Sequence, residues 1–206
     1  MTPSVILTPA NSARWASARD RLGPHAPERL ALLGDPALLE HARLLAFFCS
    51  QRAPASILLQ AHDLARGWRS AGPVLVSGFQ SLVEREVQTV LLGGTRLLVL
   101  VRGRPLPARW RPSREQRDAW AEGRLLVVAP EQGGGWGRGA SLARNRLAAA
   151  LADALLIAHA TPDGATVALA REALAQGQPV YTLPGSWNEH LLALGVAAWG
   201  EGENCG

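Results

Sequence analysis

The chain alternates short apolar runs with segments whose apolar residues recur at helical spacing. Six runs are apolar nearly throughout: 44–49 (LLAFFC), 73–77 (PVLVS), 95–101 (TRLLVLV), 124–129 (RLLVVA), 154–159 (ALLIAH) and 179–183 (PVYTL), with a shorter seventh at 195–199 (GVAAW). Runs of this length, bounded by turn residues and rich in branched side chains, read as strands buried on both faces. Between them a helical period covers 55–70, 81–92, 113–121, 145–152, 165–176 and 187–194. Doubly buried strands separated by helices predict a mostly parallel sheet covered on each side. The expected fold is α/β: a Rossmann-like, doubly wound, mostly parallel sheet of about six or seven strands flanked by helices.

Residues 1–40 are less regular, because Pro24, Pro27 and Pro36 interrupt any long helix. They are expected to form an extension packed on the core, with a Rossmann-like domain over 41–200 and a tail at 201–206. No internal repeat is visible. With 206 residues, 48% of them hydrophobic, the chain has enough apolar material for one substantial core.

Charge narrows the chemistry only a little. The net charge is +4, and the sequence contains no lysine, so every basic side chain is a planar, permanently charged arginine fork suited to phosphate or carboxylate. An excess of that size permits an anionic partner without requiring one. The two cysteines, Cys49 and Cys205, are too few for a disulfide scaffold and fit a reducing cytoplasm. The first residues lack the pattern of a secretory signal and no apolar run is long enough to span a bilayer, so a cytoplasmic protein without a membrane partner is expected.

In an open parallel sheet the ligand crevice lies beyond the carboxyl ends of the strands. The residues predicted there are Ser50-Gln51-Arg52, Ser77-Gly78, Arg102-Gly103-Arg104, the glycine-rich 131–140 with Arg144-Asn145-Arg146, Asp163-Gly164-Ala165-Thr166, and Pro184-Gly185-Ser186. Small residues beside hydroxyls let backbone N–H groups at a helix start approach an anion, and the arginines supply the charge. The rim reads as a phosphate receptor. Plainer readings stand beside it: Ser77-Gly78 suits an ordinary turn, and Asp163 or Thr161 suits a helix cap. The six arginines between 102 and 117 suit a solvated loop as well as a phosphate contact. Arg144 and Arg146, two positions apart, diverge on a helix, so both face one ligand only if the helix begins near Asn145. Glu84 and Glu86 read as helix-surface charges.

Other chemistries find little support. The five histidines show no metal-ligand spacing, and His159 at a strand end reads as a satisfied structural residue. Neither a nucleophile elbow nor a phosphate-loop motif occurs, and nothing assembles into a nucleophile, base and oxyanion set. No cofactor or metal is called for, and an enzyme is unsupported. Of the seven tryptophans, Trp110 among arginines and Trp136 in the glycine loop are candidate base-stacking platforms, packing onto the domain being the plainer reading.

With these residues in place, the chain resembles the DNA-processing protein A family, also called Smf, within a wider Rossmann-like group that includes the lysine-decarboxylase-like LOG proteins. Residues 32–54 are similar to the family's first strand and its Gly-Ser-Arg turn, here Cys49-Ser50-Gln51-Arg52. Residues 64–94 are similar to its Ser-Gly turn and flanking helices, and 143–185 to its R-N-R motif, strand, Gly-Thr turn and Pro-Gly ending. The resemblance implies a homodimer that binds single-stranded DNA through Ser50, Arg52, Ser77, Gly78, Arg144, Asn145, Arg146, Gly164 and Thr166; Arg102 and Arg104 join them from the rim reading. It also implies delivery of DNA to a recombinase. Against recombinase delivery stand the replacement of the family's A-R-G-I-D by FQSLVERE and the lack of its helical and winged-helix flanking domains. The LOG signature P-G-G-x-G-T-x-x-E is absent as well, which leaves a small phosphorylated nucleotide as the alternative ligand rather than the first.

Overall fold

A computed structural model describes residues 5–41, 43–107, 109–133 and 137–200. Among the described residues nine strands form one sheet: β1 (Val5–Leu7), β2 (Leu30–Leu33), β3 (Leu44–Cys49), β4 (Val74–Ser77), β5 (Leu98–Val101), β6 (Leu125–Pro130), β7 (Ala154–His159), β8 (Val180–Thr182) and β9 (Ala197–Ala198). Their order is β1-β2-β6-β5-β4-β3-β7-β8-β9. From β6 to β9 all neighbours are parallel, while β1 pairs β2 and β2 pairs β6 antiparallel.

The seven strands read from the hydrophobic pattern are present: 44–49 and 154–159 as read, 124–129 shifted by one residue to 125–130, and the other four shortened. The two additional ones lie within residues 1–40, which extend the sheet itself. Leu30-Ala31-Leu32-Leu33 is fully buried but short, and it ends at Gly34, whose φ of +119° favours glycine. A Cβ there would also come within 2.6 Å of the Leu125 carbonyl oxygen.

The described residues also form seven α-helices around the sheet: α1 (Ala13–Leu22), α2 (Ala55–Gly67), α3 (Leu82–Leu92), α4 (Arg114–Ala121), α5 (Arg138–Leu151), α6 (Ala165–Ala175) and α7 (Glu189–Leu192). The local signals are ordinary ones. Ser12 caps α1, and Ser81-x-x-Glu84 and Ser113-x-x-Gln116 make reciprocal capping boxes at the starts of α3 and α4. The segment expected as one helix over 187–194 divides into a 3₁₀ turn, Ser186–Asn188, and α7. On one face of the sheet α1, α5 and α6 bury Trp15, Leu147, Leu151 and Leu169; on the other α2, α3 and α4 bury Ile57, Val83, Val87 and Ala119. Trp68 and Tyr181 both meet the Trp199 ring edge to face, at centroid distances of 5.6 and 5.4 Å. Much of the tryptophan content is thus packing. None of the described helices is long and apolar enough to cross a membrane.

The topology places the site. From β3 the chain winds through β4 and β5 to β6, then crosses by α5 to β7 on the other side of β3. The winding direction reverses between β3 and β7, the point at whose strand carboxyl ends open α/β sheets place their ligands.

Candidate functional site

At the reversal point the turn after β3 meets the turn after β7. Ser50 Oγ accepts from the Thr161 backbone N–H at 2.9 Å and lies 3.4 Å from Thr166 Oγ1. Gly164 is the N-cap of α6 and no side chain caps that helix, so neither Asp163 nor Thr161 plays that part. Asp163 instead takes a left-handed φ of 57° in the turn that delivers Gly164. Arg52 is exposed on the turn after β3. His159, at the end of β7, is buried with Nδ1 3.0 Å from Asn188 Oδ1, the structural part read from the sequence.

The second gathering is larger. A cavity of about 610 Å³ opens beside the ends of β4 and β5, and Arg102, Arg104, Arg109, Arg111 and Arg144 all line it with Trp110. Among the described residues, none of those lining it is a carboxylate. Arg144 lies across Gly78 so closely that a Cβ there would occupy the space of its Nε and Cδ atoms. This is the physical requirement for glycine after Ser77, whose own Oγ accepts from the Phe79 N–H at 3.1 Å. Asn145 Oδ1 accepts from both Nε and Nη2 of Arg144, at 3.2 and 3.0 Å, and holds the guanidinium in place.

Burial lowers the pKa of Arg144, an effect opposed by the negative charge of Glu84. Burial also lowers that of Arg102, and the neighbouring Arg104 charge lowers it further. The shifts show positive charge withdrawn from water without full compensation, a condition that an anion in the cavity relieves.

Two expectations are corrected here. Helix α5 begins at Arg138, seven residues before Asn145, so the condition for Arg144 and Arg146 to face one ligand is not met. Arg146 points away, into a small cleft between α1, α5 and α6, where it makes a bidentate pair with Glu172 at 2.9 and 2.5 Å. Glu84, read as a surface charge, is 5% exposed and ties the end of β3 to the turn after β4. Its Oε1 accepts from the Cys49 N–H at 2.9 Å, and its Oε2 from the Gln80 and Ser81 N–H groups at 2.6 and 3.2 Å. The Ser81-x-x-Glu84 spacing of a capping box is the sequence signal that could have found it. Burial, and secondarily Glu84, pushes the Cys49 thiol up to about 12. Glu86 does lie at the surface, 2.8 Å from His62. Trp136 and Cys205 fall outside the described residues.

The Arg146–Glu172 pair gives a pH prediction. The hydrogen bond from Arg146 holds the Glu172 carboxyl below its ordinary range. Because the folded value is the lower one, the pair stabilises the fold above the unfolded glutamate pKa of about 4.3 and stops doing so as pH falls through the folded value. The thermal midpoint of Glu172→Gln is expected below that of the unsubstituted chain at pH 7, with the gap closing in acid. A gap that persists unchanged at pH 3 would contradict this account.

Comparison with known proteins agrees with the topology. The chain superposes on DNA processing protein A from Helicobacter pylori, solved for its single-stranded DNA binding mode, with a TM-score of 0.74 and 24% identity over 96% of this chain and 93% of that one. For DNA processing protein A from Streptococcus pneumoniae the TM-score is 0.75, with 20% identity over 94% and 70% of the two chains. A more distant likeness, TM-score 0.52 with 17% identity over 77% and 89%, is to the Moco carrier protein of Chlamydomonas reinhardtii. No curated protein sequence matches significantly. The sequence pattern of one family does match, from residue 7 to residue 196, which takes in every strand but the two at the ends of the sheet in full. On that match, the chain belongs to the DNA recombination-mediator protein A family.

Proposed function

We propose that this protein binds single-stranded DNA in DNA processing, through the arginine-lined rim of its sheet. The observation that carries the reading is the convergence of Arg102, Arg104, Arg109, Arg111 and Arg144 on one cavity, with no carboxylate among the described residues that line it. Family membership and the single-stranded DNA binding of the Helicobacter pylori protein point the same way. In this reading Arg102 and Arg144 take phosphates in the cavity. Arg52, with the uncapped start of α6 beside Ser50, Gly164 and Thr166, takes a phosphate at the reversal point. Arg146 is left out of the phosphate set, because Glu172 already neutralises it.

The test is an anisotropy titration with labelled single-stranded DNA, duplex DNA and mononucleotides at two ionic strengths. Preferential binding of the single strand, falling steeply as salt is raised, is the expected result, since released counterions drive such association. Salt-insensitive binding, or thermal stabilisation by nucleotides and not by oligonucleotides, would overturn it. The resemblance further supports a homodimer as the working form, and the exposed Leu59 and Leu82 on the neighbouring helices α2 and α3 offer apolar surface for it. Light scattering that reports single chains at micromolar concentration would refute the dimer.

A further inference from the structure

The edge of the sheet opposite the cavity carries positive charge that binding at the cavity does not use. β3, β4, β5 and β6 are parallel, so all four begin at this amino edge, with Leu44, Val74, Leu98 and Leu125 level to within one residue. Arg43 directly precedes β3, Arg69 lies in the connection into β4, Arg96 stands two residues before β5, and Arg124 directly precedes β6. Arg66 adds a further charge from the last turn of α2. The side chains link the turns to one another. Arg69 Nη2 donates to the Gly93 carbonyl in the turn before β5, and Arg96 Nη1 reaches back to the Ser70 carbonyl at 3.5 Å. Arg124 Nη1 reaches the Arg96 carbonyl, also at 3.5 Å.

A carbonyl accepts a hydrogen bond without cancelling a charge. The carboxylates at this edge are already engaged: Glu122 pairs with Arg124 at 2.6 Å, and Asp153, which accepts from the Leu44 N–H, pairs with Arg14 at 2.9 Å. Among the described residues Arg43, Arg66, Arg69 and Arg96 form no ion pair. Arg43, Arg66 and Arg69 are exposed, while burial lowers the pKa of the half-buried Arg96. Like charges gathered without counter-charge repel one another, and a polyanion laid along them relieves that cost. The shape of the patch selects the ligand. Neighbouring strands lie about 4.8 Å apart, so four strand starts make a strip about 15 Å long. Such a line suits charges repeated along a chain, as on a nucleic-acid backbone, better than one compact anion. The strands between the two edges have four to six residues, about 13 to 20 Å. A strand with a phosphate every 3.4 Å or so crosses that distance in about six nucleotides.

We propose that Arg43, Arg66, Arg69 and Arg96 form a second phosphate-binding strip at the amino edge of the sheet, which holds the bound single strand after it leaves the cavity. This rests on the reading of the cavity as a single-stranded DNA site.

The experiment titrates the unsubstituted protein and Arg43→Gln with Arg66→Gln against labelled oligothymidylates of about 8 and about 30 nucleotides, at several salt concentrations; the shorter can enter the cavity but cannot span both edges. Neither substituted side chain holds a hydrogen bond to the described residues, so the fold should be kept. For the longer strand the substitutions should flatten the dependence of log affinity on log salt by about 1.4, at roughly 0.7 per neutralised phosphate, and weaken binding about fivefold at low salt. The shorter strand should keep its affinity and its slope. An unchanged slope for the longer strand overturns the proposal. So does an equal loss for both lengths, which would mean that the charges act as a general field and not by contact. Binding of polyglutamate that the substitutions abolish, with the long strand unaffected, would assign the strip to an acidic protein segment instead. Should the double variant fail to fold, Arg66→Gln alone tests the strip, with half the expected change in slope. Absence of salt-sensitive binding to either length by the unsubstituted protein would refute the single-stranded DNA reading itself.

Discussion

Replacing Arg102 and Arg144 together by alanine is expected to weaken single-stranded DNA binding about 100-fold at low salt, each charge-assisted contact contributing about tenfold. The loss should be similar for every base sequence, because phosphate contacts position a strand without reading it. It should also flatten the dependence of log affinity on log salt by about 1.4, from roughly 0.7 per neutralised phosphate on a single strand. The melting temperature should fall little, since among the described residues neither guanidinium makes a salt bridge and Arg144 feels only the charge of Glu84 without a hydrogen bond to it. Gly78→Ala provides a cross-check that leaves both charges in place. The backbone at Gly78 is not left-handed, so the methyl group is tolerated conformationally, but it would collide with the Arg144 side chain and displace it. Its binding defect should approach that of Arg144→Ala alone. Wild-type affinity and slope in the double variant would remove the arginine cavity from the binding surface.

The second large effect concerns stability. Glu84→Ala is expected to destabilise the fold by about 3 to 5 kcal/mol, because it strips the acceptor from three backbone donors, Cys49, Gln80 and Ser81, and each orphaned buried donor costs about 1 to 3 kcal/mol. Glu84→Gln keeps one acceptor oxygen and sets an NH₂ against the remaining N–H groups, so it should fall between the two. Urea denaturation measures the change directly. A midpoint for Glu84→Ala within about 1 kcal/mol of the unsubstituted chain would mean that other acceptors, or water, satisfy those groups. The effect reaches binding as well. Glu84 joins the end of β3 to the turn that carries Gly78, and so holds the reversal-point cradle and the arginine cavity in one frame.

Much of this was legible in the sequence, and the exceptions have identifiable causes. The strands of the parallel sheet stood out because burial on both faces demands uninterrupted apolar runs such as Phe47-Phe48-Cys49 and Leu155-Leu156-Ile157. β2 did not: four residues between Pro27 and Pro36 carry too little periodic signal to separate from a loop. The start of α5 was read seven residues late because glycines on either side of Arg138 mask helical periodicity. Gly137, at a φ of 68°, is the turn that admits the helix there. That shift decides which arginine enters the cavity, and it is why the R-N-R motif serves two different clefts. The candidate site residues Arg102, Arg104, Gly78 and Arg144 were named from their places at and after strand ends.

The ends of the sheet carry a last consequence. β1 has three residues and β9 two. A strand that short exposes few unpaired backbone groups, so another chain adding to either edge would gain only a few hydrogen bonds. Self-association that continued the sheet from molecule to molecule is disfavoured on that ground. The proposed homodimer would then have to form through side chains on the helical layers, where a contact can be specific and finite.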